Sequence, residues 1–411
     1  MPKSSAQPIS ESDINVNQGE ARLSSFGYVM PAPDSFDKQE NSRVIDAFRG
    51  YAILIVIFAH ATPYLPSLVW PMRRVLIMGT YGVQLFFIAS ALTLMMSWSR
   101  SQGTFIVKSK KFFIRRLFRI APLYFLAIPF YWFAFGKPSS DFSGESLMAT
   151  MGFYNAWSPY LIPTVPGWMP VPGGWSIGVE FNFYFLFPIL AIIVLSVRRS
   201  LLFVVVGLLV MILARPFGES AYKEVGQEAL SNFLYFWPPN QLVVFAFGFL
   251  LYHMIKATPT APIGLRFSGV GNWFGTPLFI LAFLGISFYG QHKIFDLGNA
   301  QVPTHFMLSI VFAAWAYGLL MRPNGIVVNR FICMLGKVSF SAYILHFAVL
   351  YALAPVMDNL WRFSKIGVSS IFYATIFITI GVTLTFFLSL MTYKWIEKPF
   401  IAIGKKISSA S

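Results

Sequence analysis

Two ionisable side chains stand at the ends of the first apolar run, RGYAILIVIFAH: Arg49 opens it and His60 closes it. Eleven residues of helix turn through three full turns with about 20° to spare and rise roughly 16 Å, so both side chains leave from one face. An ionisable group held in hydrocarbon costs about 2.5–3.5 kcal/mol or more, which makes both candidates for function. A guanidinium there can hold an anion, and a neutral imidazole can take a proton from a hydroxyl. Farther on, KKFFIRRLFRIAP places Arg116 and Arg119 one turn apart at the start of another apolar run. Guanidinium forks grip phosphate oxygens bidentately, so this pair reads as an anchor for a phosphorylated donor. In GGWSIGVEFNFYF, Glu180 and Tyr184 are four residues apart and share a helix face. A lone carboxylate beside an apolar run needs a partner, and Glu180 and His60 are both expected in the outer half of the membrane. The expectation is therefore a Glu180-oriented His60 acting as general base on an alcohol, a step worth about 10²–10⁴-fold. His346, in LGKVSFSAYILHF, is a second mid-membrane histidine that reads equally as a packing group or as part of the site. His253, His292 and His305 fall near run ends or in loops and read as solvated. Glu397, between Lys394 and Lys398, reads as half of a local salt bridge.

These residues need elements to hold them, and the composition says which. Of 411 residues, 56% are hydrophobic and 11% charged, half the charge of a soluble globular chain. A water-soluble multidomain enzyme is excluded. The single cysteine, Cys333, rules out an internal disulfide, a Cys-based zinc site and an iron–sulfur cluster, and no metal site is expected. The net charge of +15 sits between apolar runs, a membrane-topology pattern rather than a nucleic-acid surface. Runs long enough to span hydrocarbon lie at 44–65, 75–98, 114–135, 178–197, 200–215, 232–255, 274–290, 303–321, 333–356 and 369–393. The fold class is accordingly all-α, a polytopic membrane protein of about ten transmembrane helices. Most of the 31 Lys and Arg residues fall on the side of the N-terminus, so both termini are expected in the cytoplasm. Residues 1–42 read as a disordered cytoplasmic tail without a signal peptide, 43–400 as the transmembrane domain and 401–411 as a cytoplasmic C-terminal tail.

Taken in order, RGYAILIVIFAH, GVQLFFIASAL, RRLFRIAPLY, GGWSIGVEFNFY, LGKVSFSAYILHF and YKWIEKPF resemble the acyltransferase-3 family of integral membrane O-acyltransferases, from about Arg43 to Phe400. The resemblance implies transfer of an acyl group, commonly acetyl from acetyl-CoA, to a hydroxyl of a glycan or lipid-linked sugar. The bacterial plasma membrane is the expected location. It maps the family's essential Arg and His onto Arg49 and His60, its R-x-x-R onto Arg116 and Arg119, and its WS-x-x-x-E onto Trp175, Ser176 and Glu180. In the resulting scheme the CoA phosphates rest on Arg116, Arg119 and Arg49, and Trp175, Ser176, Tyr184 and His346 complete the substrate and CoA contacts. The partners implied are acyl-CoA, the sugar acceptor and membrane lipids, with no nucleic acid and no permanently bound cofactor. This chain departs from the family at Gln84, where many members carry an acid, at Ser90-Ala91 in place of Ser-Gly, and at Ser339-Phe340 in place of Ser-Tyr. Some members add a C-terminal hydrolase-like domain after the membrane region; none follows Phe400 here, so transfer is expected within the membrane domain or with a separate partner. The rival reading is a transporter or flippase using intramembrane Arg, His and Glu as a substrate or proton pathway.

Overall fold

Apolar runs separated by capping residues, prolines and basic pairs become helices, because a backbone in hydrocarbon must satisfy its own hydrogen bonds. The computed structural model describes residues 33–65, 68–134, 144–161, 170–258, 271–289, 296–297, 300–301, 303–363 and 370–410. In chain order the helices are α1 (Pro33–Ala61), α2 (Trp70–Ile77), α3 (Gly82–Ser99), α4 (Phe105–Ala134), α5 (Gly144–Met151), α6 (Gly174–Ile193), α7 (Val197–Ala221), α8 (Gln227–Phe236), α9 (Pro238–Ala257), α10 (Gly271–Tyr289), α11 (Thr304–Met321), α12 (Arg330–Lys337), α13 (Ser339–Phe363), α14 (Ser370–Thr392) and α15 (Lys398–Ala410). A 3-10 turn (Met78–Tyr81) joins α2 to α3, and a π turn (Tyr393–Glu397) joins α14 to α15. A two-residue antiparallel ladder, Asp296–Leu297 with Ala300–Gln301, is the only strand pairing among the described residues.

Nine spans among the described residues are long and apolar enough to cross a membrane; α10, with a shorter apolar stretch over Gly275–Phe288, stands where the seventh run, 274–290, was expected. The chain is an all-α polytopic membrane protein. The break between the fourth and fifth runs is made by Val194–Ser196, where the Ser196 hydroxyl caps α7 by accepting from the Arg199 amide at 3.3 Å. Helix α7 is strongly lipid-facing: Leu201, Leu202, Val205, Leu209 and Leu213 are exposed, and only 28% of its most apolar window is buried. The residues expected to form two tails extend helices instead. Residues 33–42 begin α1, and 401–410 form most of α15, where the Arg115 guanidinium donates to Ser408 at 2.9 Å. Residues 1–32 lie outside the described residues. Arg43–Ser411 forms one compact unit.

The middle of that unit is α1, whose Ala47, Ala52, Ile53, Val56 and Ile57 are all buried. Small residues let its neighbours approach closely, the packing device of membrane helices. A Cβ on Gly336 of α12 would sit 1.7 Å from the Asp46 carbonyl, and one on Gly50 would sit 2.1 Å from the Ile332 carbonyl. Any side chain at Gly336 must therefore push α12 off α1 one turn below Arg49. Gly336→Ala is expected to cost about 1–3 kcal/mol, as overpacking does. Gly318→Ala on α11 meets open space and should be neutral or slightly stabilising. Thermal unfolding in detergent, followed with a thiol-reactive dye at the buried Cys333, distinguishes the two.

Candidate active site

Five helices, α1, α3, α4, α6 and α13, line a partly open cavity with about 630 Å³ of empty space. Arg49, Arg116, Arg119, Ser176, Glu180 and Tyr184 all line it, six of the nine residues expected at the site. The helical spacing works as anticipated. Arg116 and Arg119 enter from successive positions on one face of α4, while Ser176, Glu180 and Tyr184 enter at four-residue intervals along α6.

Arg49 and Glu180 are each bonded to a hydroxyl from α3. The Arg49 guanidinium donates to Thr93 Oγ1 at 3.0 Å, and that hydroxyl donates onward to the Ala89 carbonyl at 2.5 Å. Glu180 Oε1 accepts from Ser90 at 2.5 Å and from Tyr184 at 2.7 Å. Arg116 lies over the rings of Phe112 and Tyr184, 5.9 and 5.7 Å from their centroids, within cation–π range. Among the described residues none of the three arginines has a carboxylate within 4.0 Å, and the one ion pair is the exposed Arg215–Glu219. Three half-buried cations thus face one cavity with a single carboxylate on its wall. That arrangement is built to receive an anion.

At the far side of the cavity stands Tyr343. Its hydroxyl accepts from Ser176 at 2.8 Å and donates to the Gly173 carbonyl at 3.0 Å. Gly173 precedes α6 with φ of 74°, a left-handed conformation natural to glycine, and a Cβ there would lie 2.9 Å from that same hydroxyl. Behind Tyr343 the two histidines meet: His60 Nδ1 and His346 Nε2 are 2.9 Å apart, and Phe347 packs on both rings at 4.4 and 4.1 Å.

Several expectations are corrected by this geometry. Glu180 does not orient His60. It sits in the same cavity as Arg49, and α1 carries His60 roughly 16 Å farther along its axis. The partner of His60 is His346, and neither imidazole lines the arginine cavity. Trp175 points away into the core, 4.4 Å from Phe236 and 5.4 Å from Tyr235, and supports the wall by packing. His253 and His305 are buried, not solvated: His253 meets Ser200 at 3.0 Å, and His305 meets the Asn240 carbonyl at 3.1 Å. His292 lies outside the described residues. Glu397 is buried and accepts from Ser341 instead of pairing with its neighbouring lysines. The contribution of Thr93 was missed altogether. Its signal was available in Ser90 and Thr93, three residues apart on one face of an otherwise apolar helix.

With this geometry in view, comparison with known proteins is decisive on family. The acyltransferase-3 family, described as an acyltransferase domain, matches residues 43–392. The chain belongs to the acyltransferase-3 family. A protein of Staphylococcus aureus (strain COL), provisionally named an O-acetyltransferase, is 24% identical over 395 residues, covering 90% of this chain and 59% of its own length. One from strain MSSA476 with the same provisional name is 24% identical over 383 residues, 88% of this chain and 58% of its own. The acyltransferase MdmB of Streptomyces mycarofaciens is 24% identical over 290 residues, 66% of this chain and 68% of its own. The chain therefore spans under two thirds of the staphylococcal relatives. No solved structure matches it.

Removing the acceptor for Arg49 tests how the cavity is held. Thr93→Val keeps the shape but leaves a half-buried guanidinium short of a partner, an expected loss of about 1.5–3 kcal/mol. Ser99→Ala, which removes an exposed bond to the helix's own Met96 carbonyl, should change the same melting curve little.

Proposed function

We propose that this protein is a membrane O-acyltransferase that moves an acyl group, in the first instance acetyl, from acyl-CoA to a hydroxyl of a glycan or lipid-linked sugar. The observation that carries the reading is the convergence of Arg49, Arg116 and Arg119 on one cavity with no carboxylate in ion-pair contact. A coenzyme bearing a pyrophosphate and a 3′-phosphate supplies the missing negative charge, and guanidinium forks are suited to it. Glu180, bonded to Ser90 and Tyr184, moderates the cluster's charge rather than serving the base. The pantetheine arm then follows α1 from the level of Arg49 toward His60, past Tyr343, and the Ser176–Tyr343 contact opens to admit it. His60 removes the proton from the acceptor hydroxyl. The oxygen attacks the thioester carbonyl carbon, the C–S bond breaks, and the imidazolium returns its proton to the departing thiolate. The names of the relatives, O-acetyltransferase and acyltransferase, support this class of reaction. On this reading both termini lie in the cytoplasm of a bacterium, and the protein works in the plasma membrane on surface polysaccharide.

Purified protein in lipid nanodiscs, incubated with acetyl-CoA and sugar acceptors, should release free CoA thiol. His60→Ala should abolish that release. Arg116→Ala should raise the KM for acetyl-CoA about tenfold or more and leave the KM for the acceptor unchanged. The reverse KM pattern would sink the anchor role, and absence of release with every acceptor would favour transport.

A further inference from the structure

The two histidines have hydrogen-bond partners that settle where their protons sit. His346 Nδ1 lies 2.8 Å from the Tyr343 carbonyl and 3.2 Å from the Ala342 carbonyl, both on its own helix. A backbone carbonyl can only accept, so Nδ1 of His346 must carry a proton. A neutral His346 then presents a lone pair at Nε2, and the atom facing it at 2.9 Å is His60 Nδ1. That atom must donate. The proton of neutral His60 is consequently on Nδ1, which leaves the lone pair on Nε2. The one side-chain hydrogen bond of His60 among the described residues is made through Nδ1, so Nε2 is left to meet a substrate, and the residue is half-buried. The alternative, a doubly protonated His346 donating from both nitrogens, would put a cation in the apolar bundle with no carboxylate within 4.0 Å, an expensive arrangement.

We propose that His346 is a positioning residue: through the chain Tyr343 carbonyl, His346, His60, it holds His60 in the Nδ1–H tautomer and aims the Nε2 lone pair as the base. A histidine side chain free in water favours the opposite tautomer, so the geometry works against the intrinsic preference. The histidine pair does what a carboxylate does for many catalytic histidines, with main-chain carbonyls as the final acceptor in place of a negative charge. Phe347, packed over both rings, limits their rotation. Tyr343 has two roles in this arrangement. Its carbonyl terminates the relay, and its phenol closes the wall of the arginine cavity. Movement of this turn of α13 would therefore be felt at both places.

The tautomer part of this inference stands on geometry alone; the kinetic part rests on the acyltransferase reading. Full-length protein labelled with ¹³C,¹⁵N-histidine in lipid bilayers allows solid-state NMR of the five histidines, with His60 assigned by loss of its signal in His60→Asn. The expected spectrum has His60 protonated at Nδ1 and bare at Nε2, and in His346→Leu its proton moves to Nε2. A wild-type His60 protonated at Nε2 would overturn the inference. In turnover assays His346→Leu should lower kcat about 10²-fold, within the range of a general-base step, and leave both KM values within about twofold. His346→Gln, whose Oε1 can still accept from His60 Nδ1, should recover kcat to within about tenfold of wild type. Equal losses for Leu and Gln, or losses confined to KM, would refute positioning. If His346→Leu fails to fold, the wild-type spectrum and the Gln variant still decide. Should the tautomer be as expected while the wild-type protein turns over no acceptor, the acyltransferase reading falls and the tautomer assignment stands.

Discussion

Placing three guanidinium groups inside a bundle surrounded by hydrocarbon is the constraint from which most of this architecture follows. Each such group is costly unless other helices supply polar atoms at the right depth. Thr93 of α3 meets Arg49, and the rings of Phe112 and Tyr184 cover Arg116. Ser90 and Tyr184 hold Glu180, the carboxylate on the cavity wall. These contacts fix the rotation of α3, α4 and α6 about α1. They also explain why the crossings with α1 are so close. Only glycine at positions 50 and 336 lets α12 approach near the turn that carries Arg49.

A second polar level lies farther along α1 and obeys a different rule. There the groups are neutral imidazoles, and the partners are main-chain carbonyls of α13 rather than a carboxylate. On the proposed function, the charged level binds the anion and the neutral level accepts the proton. Tyr343 belongs to both levels, its hydroxyl to the cavity and its carbonyl to the imidazole chain. Separating the two levels along one helix keeps the positive charge of the arginine cluster away from the imidazoles.

Much of the fold and part of the site were legible before any coordinates. Apolar runs of transmembrane length announce helices because hydrocarbon leaves the backbone no alternative, and the observed spans follow them closely. Helical periodicity places Arg116 with Arg119, and Glu180 with Tyr184, on common faces, and these residues do meet in one cavity. Depth arguments were weaker. They set Glu180 beside His60 because both seemed to lie in the outer half, whereas Glu180 shares a cavity with Arg49. Charge proximity along the chain misled in the same way at Glu397, whose partner is Ser341 rather than an adjacent lysine.

The amino-acid sequence by itself determined the class of molecule, the helices, and which side chains share a face, since these depend on composition and on a period of 3.6 residues. Only the tertiary structure decided which faces meet. His60 and His346 are 286 positions apart, and Ser90 and Glu180 are 90 apart. Contacts at such separations are chosen by how helices rotate and slide against one another, which local periodicity leaves undetermined.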